Sequence, residues 1–386
     1  MSPDQGGDAD VVVVGGGLAG ALLALELAGR GLATELIDAG SPDPGSPDGG
    51  AFASATACAT ALSYGAMAPW AAPFTPMGWL IRGGPGRWRQ LQRRHGPLGW
   101  QRAWFRPVGE GAPLGGLLPL PCSRVQARLL VSRWPAVLRA AGVRLSTGRV
   151  TALEPDSEGQ GGWLLRLQQG ASRRVPQLVL AAGAGCRPLW PALPQRLRVS
   201  WAGVLELDPR PGPGPAGGGL RLPARFSRLT LEARAAELGQ EAWTVDPGLL
   251  SWDDGWLAGQ ISLLRPGLEP GEPPDVDLQE RRLRQALSAI DADLASWPGR
   301  FRQVPVSFCP GGLPLVGPVA PPGLWLFSGF SGAFAQVPVL APLLADWIAA
   351  SGGPTRDAQP SASDASRRLH HLGVLPDRVL PSEQLS

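Results

Sequence analysis

The sequence predicts an α/β chain in which a doubly wound, largely parallel sheet is joined to a discontinuous, mostly antiparallel domain of α+β character. Three observations predict it. Four consecutive valines, Val11 to Val14, run directly into Gly15-Gly16-Gly17-Leu18-Ala19-Gly20 and then into an apolar helical stretch, which reads as a buried strand, a tight turn and a helix. Residues 191–305 have a different texture, with short strand candidates cut by Pro/Gly-rich loops at 209–219 and 266–274. A late strand and helix, 324–327 and 337–349, return to the first texture. One domain is therefore assembled from separated stretches, and the other is inserted between them.

The elements follow in order. Strand 11–14, helix 18–30 and strand 33–37 make a βαβ unit. Residues 40–50 have loop composition, and 51–61 return to small apolar residues that pack closely. Helix 125–141 places Leu129, Leu130, Trp134, Leu138 and Ala141 on one stripe and ends at Gly142. A parallel strand at 143–145, an antiparallel excursion at 163–167 and an apolar strand at 178–182 follow. The second domain holds strands at 201–207 and 255–264 and a helix at 277–297. After Ser351 the composition turns to Ser, Asp, Gln, Pro and Arg, which predicts a poorly ordered tail over 351–386. The expected division is 8–66, 125–190 and 309–350 for the first domain, and 67–124 and 191–308 for the second.

Composition prunes the chemistry. All 35 basic residues are Arg, so Schiff-base catalysis, a phosphate-loop lysine and a lysine base are excluded. The net charge of +3 is small and dispersed, so no nucleic-acid or membrane partner is expected. Cys58, Cys122, Cys186 and Cys309 form no C-x-x-C pair, which suggests free thiols in a reducing compartment. His95, His370 and His371 do not complete ligand spacing with them, so no metal is expected. The apolar run from Val11 follows Asp8 and Asp10 and contains Glu26 and Arg30, unlike a signal or anchor. The expected location is cytoplasmic.

The glycine run satisfies G-x-G-x-x-G between a strand and a helix. Gly15 permits the tight turn, Gly17 lets the backbone approach a pyrophosphate, and Gly20 allows the helix to pack closely on the sheet. A pyrophosphate then meets the free N–H groups and dipole of a helix N-terminus. Asp38 ends the second strand at about the ~20-residue spacing of a carboxylate that accepts from ribose hydroxyls. This is a Rossmann-type dinucleotide fingerprint, and by itself it leaves FAD and nicotinamide cofactors both open.

Three further segments resemble the D-amino acid oxidase and glycine oxidase family of FAD-dependent oxidoreductases. They are Thr60-Ala61-Leu62-Ser63-Tyr64-Gly65-Ala66-Met67-Ala68-Pro69, the stretch LVLAAGAGCRP at 178–188, and Gly312-Leu313-Pro314-Leu315-Val316-Gly317-Pro318 followed by Gly329-Phe330-Ser331-Gly332-Ala333-Phe334. The resemblance spans about 8–350 and is strongest at its two ends. It implies non-covalent FAD held at Gly15, Gly17, Ala19, Gly20, Asp38, Thr60, Met67, Ala182, Gly183, Gly329, Ser331, Gly332, Ala333 and Phe334. It also implies oxidation of a small amine or amino acid at its C–N bond by hydride transfer to flavin N5. A flavin 2-hydroxy acid dehydrogenase and a non-catalytic FAD-binding protein are the alternatives.

The chain departs from the family at its substrate positions. Val306 stands where many amino-acid-oxidising members place a carboxylate-pairing Arg, Gly311 replaces an acidic residue, and Phe330 stands where His is common. The substrate-facing candidates are Tyr64, Met67, Trp70, Arg302 and Phe330. Of these, Tyr64 is the expected hydrogen-bond donor, and Arg302 could hold an acid group from a shifted position.

Overall fold

A computed structural model describes residues 9–40, 58–109, 112, 118–156, 162–209, 220–252, 255–320, 323–351 and 364–376. The expected loop at 41–50 and most of 51–61 lie outside the described residues. Along the chain, β1 (Val11–Val14), α1 (Leu18–Ala28) and β2 (Thr34–Asp38) form the opening βαβ unit. Then come β3 (Ala66–Met67), α2 (Pro76–Arg82), α3 (Gly84–His95), β4 (Trp100–Val108), β5 (Leu120–Val125) and α4 (Ala127–Ala140). Strands β6 (Arg144–Thr147), β7 (Val150–Pro155), β8 (Trp163–Leu167), β9 (Ser172–Val175) and β10 (Gln177–Leu180) precede the short α5 (Cys186–Leu189). Next are β11 (Arg198–Leu207), β12 (Leu220–Pro223), α6 (Ser227–Ala233), β13 (Ala242–Trp252), β14 (Gly255–Leu264), α7 (Val276–Leu287) and β15 (Gly299–Phe308). The last described elements are β16 (Leu315–Ala320), β17 (Leu324–Ser328), α8 (Ala333–Ser351) and α9 (Asp364–His371).

A six-stranded sheet has the order β16-β17-β10-β1-β2-β6. Its strands are parallel except for β16, which runs antiparallel to β17. Both faces of this sheet are covered. Val11 and Val13 point into a core built with α1, α4 and α8, where Leu23, Leu27, Trp134, Leu340 and Leu344 are buried. Val12 and Val14 point to the other face, against Trp163 and Leu165 of the β7-β8-β9 meander. A strand covered on both sides has no polar face to alternate, which is why the sequence shows four valines in a row. Helix α8 is apolar for the same reason. At 19 residues it is long and apolar enough to cross a membrane, but here Val337, Leu340, Leu344 and Ile348 are buried in the core.

The second sheet has eight strands in the order β15-β11-β14-β13-β12-β4-β5-β3. It is antiparallel except where β12 pairs with β4. One face is covered by α7, whose Leu283 and Leu287 meet Leu205, Leu249 and Ile261. The opposite face carries Leu62, Phe105, Val204, Leu250 and Leu257.

Two sequence expectations are corrected. The helix expected over 277–297 stops at Leu287, because Asp291 accepts from the Asp293 N–H at 3.1 Å to start a separate short turn. Arg284 donates to the Trp297 carbonyl at 2.8 Å and draws the chain back. The expected disordered tail contains α9, with Ala365, Leu369 and Val374 buried. It supplies the Val374 carbonyl to the Val316 N–H at 2.8 Å, so a backbone donor of edge strand β16 is satisfied.

Candidate functional site

The parallel strands β1, β2, β10 and β17 all end on one edge of the six-stranded sheet, and the loops leaving them converge there. The crevice lies where connections depart in opposite directions, β1 to β2 on one side and β10 and β17 on the other, which is the ligand position of open α/β sheets. Gly15 has φ +109°, and a Cβ on it would meet the Ala181 carbonyl oxygen and the Ala182 Cα at 2.6 Å. A Cβ on Gly20 would overlap the Gly15 carbonyl oxygen. Gly17 is the N-cap of α1 with no side-chain cap, and the nearest atom to its would-be Cβ is Thr60 Oγ1 at 3.5 Å. These spaces and donors fit a pyrophosphate: two glycines hold the turn tight while the third leaves the helix N-terminus open.

Asp38, at the end of β2, accepts from the Gly16 N–H at 2.6 Å and from the Gly40 N–H at 2.9 Å. This fixes the carboxylate at the crevice with lone pairs to spare for hydroxyls. Thr60 Oγ1 accepts from the Leu18 N–H at 3.0 Å and so ties the 58–65 segment to the first turn of α1. Ala182 and Gly183 form the turn after β10, and Ala19 lies in the first turn of α1. Gly329 follows β17 with φ +83°, where a Cβ would run into the Cys309 sulfur. Gly332 and Ala333 open α8; the Gly332 N–H donates to Gln336 Oε1 at 3.2 Å, and Gln336 Nε2 donates to the Gly312 carbonyl at 2.7 Å. Gln336 thereby joins the two loops named by the resemblance.

Several expected side chains are turned elsewhere. Tyr64 gives its hydroxyl to the Gly259 carbonyl, burial raises its pKa well above the ordinary phenol value, and its ring lies against the apolar face of the second sheet. Its role is packing rather than the expected donation to a substrate. Arg302 pairs with Glu206 at 3.2 Å, and Glu206 also pairs with Arg128. Six residues of strand, about 20 Å at the usual rise, separate Arg302 from Phe308, so it is an ion-pair residue linking sheet and helix instead of the expected clamp. Phe330 is buried edge-on to Phe327 with centroids 4.8 Å apart. Phe334 points its ring into the core beside Trp88 and gives its carbonyl to Trp88 Nε1 at 2.8 Å. Met67 is buried in the same core. Trp70 is exposed on the surface and donates to the Pro121 carbonyl.

A polar cluster that the sequence reading missed stands beside Ser331. Ser331 Oγ donates to Glu232 Oε2 at 2.8 Å, and Arg228 donates to Glu232 Oε1 at 2.7 Å and to the Ser331 carbonyl at 3.1 Å. Helix α6 carries both residues, and Asp246 of β13 holds its N-terminus by accepting from the Ser227 and Arg228 N–H groups at 2.6 and 3.0 Å. Burial raises the Glu232 pKa despite Arg228 and Ser331, which pull it down. The Arg228 Nε is buried and has no hydrogen-bond partner among the described residues. The i, i+4 spacing of Arg228 and Glu232 reads in sequence as an ordinary helix-surface pair; only the fold brings α6 against Ser331. Among the described residues no group of His, Cys, Asp and Glu could hold a metal.

The FAD dependent oxidoreductase family model matches residues 10–118 and 105–347. Among solved structures, glycine oxidase from Geobacillus kaustophilus superposes with a TM-score of 0.63 at 17% identity, covering 89% of this chain and 94% of that one. Iminodiacetate oxidase from Chelativorans sp. BNC1 gives 0.61 at 19% identity, over 88% and 94%. The L-amino acid deaminase from Proteus vulgaris gives 0.62 at 14% identity, over 90% and 95%. No curated protein sequence matches the chain. With the crevice, its glycines and the matched spans in agreement, the chain belongs to the family of FAD-dependent oxidoreductases.

Proposed function

We propose that this flavoenzyme oxidises the C–N bond of a small amine that also carries an acid group. When bound, FAD supplies the two-electron acceptor, and the protein holds the substrate carbon beside it and excludes water. The observation that supports an acidic substrate is Arg228, a half-buried guanidinium whose buried Nε has no hydrogen-bond partner among the described residues, next to the Gly329–Phe334 segment. A planar, charged donor suits a carboxylate, and Arg228 would take over the task that Val306 cannot perform. The structural relatives named above act, by their names, on glycine, iminodiacetate and L-amino acids. Glu232 would orient Arg228 through their 2.7 Å contact.

The cofactor is proposed to be non-covalent. The Cys309 thiol lies against Gly329, and burial pushes its pKa up to about 12, so the nucleophilic thiolate is suppressed. Heat denaturation should leave all the flavin in solution; yellow colour in the precipitate would refute this.

The deciding experiment is anaerobic titration of the holoenzyme, reading the visible flavin band. Glycine, sarcosine, iminodiacetate and D- and L-amino acids are the first panel, and 2-hydroxy acids the second. Bleaching by a member of the first panel supports the proposal. Bleaching by hydroxy acids alone, or by nothing, overturns it. Loss of charge-assisted hydrogen bonds in Arg228→Ala should lower kcat/KM about 10–100-fold for the acidic substrate, with a much smaller change for the amine lacking its carboxylate.

A further inference from the structure

The Glu232 carboxylate is sealed inside the protein at 2% exposure. Among the described residues it has two hydrogen-bond partners: Arg228 donates to Oε1 at 2.7 Å, and Ser331 Oγ donates to Oε2 at 2.8 Å. A guanidinium keeps its protons at any working pH, so of the two partners only the Ser331 hydroxyl can pass a proton to Glu232. Ser331 is half-buried beside the exposed Gly332, in the segment that the family resemblance places at the flavin. A carboxylate can only accept, so this contact fixes the direction of the Ser331 O–H and leaves its oxygen able to accept from a further donor. Arg228 donates to the Ser331 carbonyl at 3.1 Å, which sets guanidinium and hydroxyl side by side, as the acid and the nitrogen of a 2-amino acid are.

We propose that Ser331 and Glu232 form a proton relay that takes a proton from the substrate's ammonium group. The relay rests on the C–N oxidation proposed above. At neutral pH an amine arrives mainly as its ammonium ion, which has no lone pair with which to form C=N when the C–H bond breaks. The ammonium N–H donates to Ser331 Oγ; as that proton passes to the oxygen, the Ser331 O–H proton passes to Glu232 Oε2. One N–H and one O–H bond break, two O–H bonds form, and the cation and carboxylate become a neutral amine and a neutral acid. The two electrons of the C–H bond then go to bound FAD, and the proton on Glu232 returns to solvent through Ser331 after the product leaves. Burial and Asp246 of β13 raise the Glu232 pKa, whereas Arg228 and Ser331 lower it; the net direction is upward, which suits a base working near neutral pH. The nearby Cys309 thiol, with a pKa of about 12, adds no charge. Strand β14 and residues 310–312 also pack on α6 and carry no ionisable side chain, and Arg234 and Glu237 beyond the end of α6 pair with each other at 3.5 Å.

The test is stopped-flow reduction of the holoenzyme's flavin, without oxygen, by the amino acid that bleaches it most readily, from about pH 5 to about pH 10. In the parent the second-order rate constant should stay level across neutral pH and fall only as the pH drops through the Glu232 pKa. Glu232→Gln should depend instead on the free amine. Its rate constant should fall about tenfold per pH unit below the substrate's ammonium pKa, lie about 100-fold under the parent at neutral pH, and rejoin it in alkali. Ser331→Ala, which keeps the Arg228–Glu232 pair, should show the same profile, and it serves if Glu232→Gln does not bind FAD. Variants slowed by one factor at every pH, or not slowed at all, would overturn the relay and leave Glu232 a support for Arg228. A flavin that no amine reduces at any pH would overturn the C–N reading itself, and the relay with it.

Discussion

Gly17 and Gly20 make opposite demands although both belong to one motif. A Cβ on Gly20 would overlap the Gly15 carbonyl oxygen, so Gly20→Ala must push α1 off the β1 turn. Overpacking of this kind costs about 1–3 kcal/mol, and both the melting temperature and the flavin content of the purified protein should fall. A Cβ on Gly17 would find its nearest atom at 3.5 Å. Gly17→Ala should therefore leave the apoprotein melting temperature unchanged yet weaken FAD binding by about tenfold or more, because the methyl occupies the approach of the pyrophosphate; equal FAD affinity by fluorescence titration would sink this reading. These glycines were readable in the sequence because their constraint is local, set by a strand, a turn and a helix within ten residues. Arg228 was not readable. Nothing within its own neighbourhood of the chain indicates that Ser331, 103 residues on, supplies its hydrogen-bond acceptor.

At the level of elements, apolar periodicity located the strands and helices that are buried on both faces or along a clear stripe. β1, β8 and β14 were read with the bounds they have in the structure. β4, with Arg and Trp outward, and β15, with Arg300 and Arg302 on alternate positions near its start, gave no such pattern. α9 was hidden by a polar composition, yet its few apolar residues are the ones that reach the core. Leu369 is fully buried among core side chains. Leu369→Ala should cost about 2–5 kcal/mol in urea unfolding while leaving FAD affinity unchanged, since α9 lies against β16 and α8 rather than at the crevice. A cost below about 0.5 kcal/mol would mean that the tail does not stabilise the fold.

The whole molecule brings two sheets together through the segments that also form the crevice. Met67 is buried in the core of the parallel sheet while its neighbour Ala66 packs on the second sheet, and β15 leads through Cys309 to Gly312, where Gln336 of α8 is anchored. A cofactor held across these loops stabilises the native state alone, by about 2.7 kcal/mol at a free concentration 100 times its Kd. Added FAD should thus raise the melting temperature of the apoprotein by a few degrees, and no shift would argue that the crevice does not bind it. The sequence by itself determined the parallel sheet, the dinucleotide turn and the family, because these follow from short-range spacing and from strands too apolar to face water. The tertiary structure alone decided which side chains stand at the site. Tyr64 and Arg302 are consumed by partners far along the chain, and Arg228 and Glu232 are carried to Ser331 by a helix of unremarkable sequence. Those outcomes depend on contacts between residues distant in sequence, which local pattern does not encode.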